Sequence, residues 1–81
     1  MEKEQIEREV LKFLSQQIDL PADKISVNDE LKNLGLDSFR IIELVLFIER
    51  KFEITIPDHA YTPGNLKTVR SIVECALEFN H

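Results

Sequence analysis

The sequence predicts an all-α domain, a four-helix bundle of three main helices and one short one, mostly antiparallel, with a long first loop crossing the bundle. Three observations carry this expectation. Apolar residues recur with a helical period in three separate stretches. Segments rich in Pro, Gly, Asp and Asn divide those stretches. The one apolar alternation, Ile54-Thr55-Ile56, is too short to argue a sheet.

In residues 3–18, Ile6, Val10, Phe13, Leu14 and Ile18 share one face of an amphipathic helix. Glu2, Glu4, Glu7 and Glu9 favour its first turns through the helix dipole and read as a solvated face. Next comes "DLPADKISVNDELKNLGLD", a connection of roughly twenty residues, which a small domain tolerates only when it is functional or pinned. Leu20, Ile25, Val27, Leu31, Leu34 and Leu36 supply apolar anchors, and Asp29 is placed to cap a short turn through Leu34.

From Ser38 to Phe52 the pattern is helical again, and 100° per residue resolves its apolar positions into two stripes. Ile41, Leu44, Val45, Ile48 and Phe52 form a core face. Phe39, Ile42 and Leu46 form a second stripe about 140° away, which must be exposed or covered by a second layer. Pro57 ends the following extended segment, "DHAY" has room for a brief turn only, and Ile54, Ile56 and Tyr61 still pack on the core. A last helix runs from Thr68, a preferred N-cap residue, to Phe79, with Val69, Ile72, Val73, Ala76 and Leu77 on one face.

Eighty-one residues make one domain, 1–81, without room for a deep enclosed active site. Ten Lys and Arg against fifteen Asp and Glu give a formal charge of -5. That field repels nucleic acid and anionic membranes and favours basic partners. Cys75, the one cysteine, has no intramolecular partner and no His at metal-ligand spacing, which suits a reducing cytoplasm. The charged, helical "MEKEQIEREV" does not read as a signal peptide, and no stretch approaches the length of a membrane span. Cys75 reads as a small buried helix residue rather than a reactive thiol. His59 reads as solvated rather than as a pH sensor paired with Asp58 or Glu53.

The chemistry concentrates in "NLGLDSFRIIELVLF". Asp37 or Ser38 is suited to cap the helix. A helix N-terminus also suits a covalently attached phosphate, and Gly35 permits the bend that gives a modifying enzyme access to the Ser38 hydroxyl. "GLDSF" loosely resembles the GDSL-type serine hydrolase motif, but the histidines are only His59 and the terminal His81, and no α/β scaffold is present to assemble them.

Four blocks, Gly35-Leu36-Asp37-Ser38-Phe39, "IIELVLFIERKF", "ITIPD" and "LKTVRSIV", resemble the acyl carrier protein family in content, order and spacing, over essentially the full chain. The resemblance implies a helical carrier domain of that family's type that is not itself an enzyme. It implies 4'-phosphopantetheine attached to Ser38 by a phosphopantetheinyl transferase using coenzyme A, with acyl or aminoacyl thioesters on its thiol. A ligase or acyltransferase loads the arm, and downstream synthases or transferases of fatty-acid, polyketide or related specialised biosynthesis accept the cargo. It further implies that the helix after the serine meets partners, with Glu43 and Glu49 as acidic contacts and Phe39, Ile42 and Leu46 as the apolar part. The expected state is a cytoplasmic monomer. An unmodified helical adaptor using the same apolar stripe is the alternative.

The residue after the serine is usually Leu in this family and here is Phe39. Arg40, Arg50 and Lys51 stand where fatty-acid carriers typically have acids or neutral residues. "IPDHAYTPGNLKTV" is longer than in those carriers, and Thr62-Pro63-Gly64-Asn65 resembles stand-alone carriers of specialised or aminoacyl pathways. A charge-balanced helix selects partners other than those of fatty-acid synthesis.

Overall fold

The computed structural model describes residues 2–80, so Met1 and His81, with the start of the N-terminal reading and one of the two histidines, lie outside the described residues. Three α-helices follow in order: α1 (Lys3–Ile18), α2 (Ser38–Phe52) and α3 (Val69–Glu78). The expected short fourth helix is a single 3-10 turn, Asp58–Ala60, and two further 3-10 turns, Ala22–Lys24 and Leu31–Leu34, interrupt the first connection. No strand occurs among the described residues; one isolated bridge pairs Glu30 with Thr68.

Each helix forms where its apolar period predicts. Ile6, Val10 and Leu14 of α1 are fully buried, and they meet Leu44, Val45 and Ile48 of α2 and Val69, Ile72, Val73 and Ala76 of α3. The first two helices run antiparallel. Arg40, near the start of α2, bonds Gln17 near the end of α1; Phe13 and Phe47 stack at the middle with ring centroids 4.4 Å apart; Lys51, near the end of α2, lies 3.8 Å from Glu9. α3 opens with a reciprocal cap in which Ser71 N–H donates to Thr68 Oγ1 and Thr68 N–H donates to Ser71 Oγ, both at 3.0 Å.

The long connection is strapped across the bundle as expected. Ile25, Leu31 and Leu36 are buried, Leu31 N–H donates to Lys67 O, and Arg70 N–H donates to Val27 O, each at 2.9 Å. Three details differ. Leu20 is no anchor: it is 39% exposed, because Asp19 ends α1 in the left-handed conformation and turns the chain outward there. Asp29 does not cap the Leu31–Leu34 turn; its carboxylate accepts Ser26 N–H at 3.0 Å, closing an earlier turn, and Glu30 takes the cap position without a side-chain bond. The acidic face of α1 is only partly solvated, since Glu9 approaches Lys12 and Lys51 and one Glu7 oxygen is buried without a partner among the described residues.

The core stripe of α2 is narrower than its periodicity suggests. Ile41 and Phe52 pack at the margin of the core and are half-buried. Cys75 is buried as expected, and burial, with Glu78 nearby, pushes its thiol above the ordinary value of 9.0. His59 is exposed, its ring edge-on to Phe79 with centroids 6.1 Å apart.

Candidate functional site

The entrance to α2 is built by three consecutive backbone decisions. Gly35 adopts φ 88°, and its N–H closes the preceding turn on the carbonyls of Leu31 and Lys32. A Cβ there would meet nothing within 4 Å, so the positive φ, rather than space, calls for glycine. Leu36 is then buried and anchors the approach. Asp37 takes the N-cap: its Oδ1 accepts Arg40 N–H at 2.9 Å.

The two readings of Ser38 therefore separate. Asp37 performs the capping, and Ser38, the first residue inside the helix, is exposed and its hydroxyl is not the cap. It stands where the free N–H groups and positive end of the helix dipole suit an attached phosphodiester.

Ser38 opens onto a groove of ≈ 730 Å³ between the start of α2 and the segment leading to α3. Ile41, Ile42, Tyr61, Pro63 and Leu66 supply its apolar surface, and Glu30, Lys32 and Lys67 are polar side chains along it. The site residues expected from sequence divide here. Ile42 is half-buried and joins the groove, while Phe39 and Leu46 remain 71% and 41% exposed on the outer face of α2. Arg40 is exposed, with Nη1 donating to Gln17 Oε1 at 2.7 Å; Arg50 is exposed and Glu43 half-buried.

Glu49 is committed within the chain, in contrast to the outward acid expected of it. Its Oε2 accepts Ile56 N–H at 2.8 Å, and its Oε1 accepts the Tyr61 hydroxyl at 3.4 Å. Burial first, and then the Glu49 charge, raise the Tyr61 hydroxyl above its ordinary value of 10.0. Helical spacing places Glu49 beside Ile42, but it cannot say that the Ile54–Tyr61 segment folds back over that flank. Tyr61, Pro63 and Leu66 as groove walls were missed for the same reason; the only sequence signal was the apolar content around Tyr61. His59, the base required by the hydrolase reading, sits against Phe79 and is not among the groove's lining residues.

The site thus combines an exposed serine at a helix mouth, a neighbouring aspartate as cap and an apolar groove beside them. The family profile described as "Phosphopantetheine attachment site" matches residues 8–76. An acyl carrier protein of Exiguobacterium sibiricum is 39% identical over 74 residues, covering 90% of this chain and 91% of that protein. One from Clostridium perfringens is 37% identical over 65 residues (70% and 83%), and one from Trieres chinensis 32% over 63 residues (76% of each). The chain belongs to the acyl carrier protein family: it is a carrier and not an enzyme, and its cofactor is covalently attached 4'-phosphopantetheine. No helix of the described residues is long and apolar enough to cross a membrane.

Proposed function

We propose that Ser38 is the attachment residue and that this domain presents acyl or aminoacyl thioesters to the enzymes of a specialised biosynthetic pathway. The observation that carries the reading is the division of labour at the start of α2, where Asp37 takes the cap and leaves the neighbouring hydroxyl exposed. A phosphopantetheinyl transferase joins the Ser38 oxygen to the phosphopantetheine half of coenzyme A. The 3',5'-ADP half leaves, and the hydroxyl proton is lost to the transferase. When bound, the arm supplies a terminal thiol on which the cargo is held as a thioester. The chain's own part is to hold the modified oxygen at the positive end of α2, to offer the Ile41, Ile42, Tyr61 and Leu66 groove to an apolar cargo, and to present α2 to partners.

A loading ligase or acyltransferase and a downstream synthase or transferase complete the cycle, in the cytoplasm and with the carrier as a monomer. Phe39 in place of the usual Leu, and Arg40 and Arg50 on the partner helix, support partners other than those of fatty-acid synthesis. Incubation with coenzyme A and a broad-specificity transferase should add the mass of phosphopantetheine to the wild type and nothing to Ser38→Ala. An unchanged wild-type mass would count against the carrier assignment of Ser38. The 71% exposure of Phe39 also suits an unmodified adaptor, whose partner binding would persist undiminished in Ser38→Ala.

A further inference from the structure

The groove beside Ser38 has a charged margin and an apolar one. Glu30, Lys32 and Lys67 border the first, where the bond from Leu31 N–H to Lys67 O, 2.9 Å long, closes the backbone. A hydrocarbon gains least by lodging among those charges. The apolar surface runs along Ile41, Ile42 and Leu66 to the half-buried ring of Tyr61.

Ser38, Ile42, Val45 and Glu49 follow one line along α2. The first two border the groove, whereas Val45 is buried and neither it nor Glu49 is among the lining residues. Tyr61 stands where the groove stops. Its hydroxyl donates to Glu49 Oε1 at 3.4 Å, and because helical side chains lean back toward the start of their helix, the ring covers the turn that follows Ile42. The ring packs on the core, and the backbone that carries it is fixed. Tyr61 N–H donates to Asp58 O at 3.0 Å, and the neighbouring Ala60 O accepts Asn65 Nδ2 at 2.9 Å. From Ser38 to the level of Val45 the helix rises about 10 Å. With C–C bonds of about 1.5 Å an extended chain advances roughly 1.3 Å per carbon, so about eight carbons span that distance.

We propose that Tyr61 sets the cargo length of this carrier: the groove shelters acyl chains of up to about eight carbons, and longer ones run out past the ring into water. The proposal rests on Ser38 as the attachment residue. Its test loads the chain from butyryl-, hexanoyl-, octanoyl-, decanoyl- and dodecanoyl-coenzyme A with a broad-specificity transferase, each product checked by intact mass. Cleavage of the thioester by hydroxylamine is then compared with that of the same acyl group on free pantetheine. Protection should rise from butyryl to octanoyl, by up to about fourfold for each CH₂ that leaves water, and should rise no further at decanoyl and dodecanoyl. Tyr61→Ala should carry the rise on to dodecanoyl. Tyr61→Phe, which keeps the ring and loses only the bond to Glu49, should stop where the wild type stops. A measurement on the wild type alone complements these variants: the terminal methyl of the octanoyl chain should show a nuclear Overhauser contact to the Tyr61 ring, and that of the dodecanoyl chain none. Protection absent at every length, protection that still climbs from octanoyl to dodecanoyl in the wild type, a limit that persists in folded Tyr61→Ala, or no contact between the octanoyl methyl and the ring would overturn the proposal. A missing mass gain would instead overturn attachment at Ser38, so the two failures are read from different measurements.

Discussion

Asp37 and Ser38 are adjacent residues of similar capping preference to which the fold gives different tasks. Because the Asp37 carboxylate accepts Arg40 N–H, Asp37→Ala should cost about 1 kcal/mol in urea unfolding, while Asp37→Asn, which caps as well, should cost little. Glu49 is a second residue whose task is internal. Removing its carboxylate strands the N–H of buried Ile56, so Glu49→Ala should cost about 1–3 kcal/mol and Glu49→Gln less, since one carbonyl oxygen remains. The Tyr61 hydroxyl, raised by burial and by Glu49, contributes stability that is complete below its unfolded value of 10.0 and is lost as pH climbs through the higher folded value. Urea midpoints measured between about pH 8 and 11 should fall in the wild type, and the part due to this hydroxyl should vanish in Tyr61→Phe.

At the scale of elements, helix ends rather than helix centres offer room for change. α2 stops at Glu53 with φ 55°, a left-handed conformation that costs a residue with a Cβ and that places an acid at the negative end of the dipole. Glu53→Gly should raise the melting temperature, by a stabilisation of about 0.5–1 kcal/mol. The bounds of α1 and α2 were legible in the sequence because each carries a long run of helical period flanked by turn residues. Thr68 was legible as a cap because its hydroxyl acts on its own helix. What stayed illegible concerns meetings between elements. Periodicity gives the direction of Ile41 and Glu49 around α2, but not that a groove opens beside the first or that Tyr61 closes over the second. Asp29 shows the same limit over a shorter range, since Ser26 and the following turn compete for one carboxylate and the sequence offers no ranking of the two.

Across the whole molecule, much of the core lies outside the helices. Ile25, Leu31, Leu36, Ile54, Ile56 and Ala60 are buried alongside the helical residues. Leu31→Ala should therefore cost about 2–5 kcal/mol, comparable with Leu14→Ala in the middle of α1, as equilibrium unfolding would measure. The bond from Leu31 N–H to Lys67 O joins the segment before α2 to the segment before α3, and that from Arg70 N–H to Val27 O joins the same early segment to the first turn of α3, so the Glu30–Lys32 and Leu66–Lys67 margins of the Ser38 groove are tied together. A cargo that widens the groove thus cannot spread the banks where Lys32 and Lys67 face it without breaking backbone bonds. Tyr61 is itself tied to α2 through its hydroxyl on Glu49, so expansion falls to Pro63 and Gly64, which no backbone bond joins across the groove among the described residues, and accommodation and constancy belong to different ends of the groove.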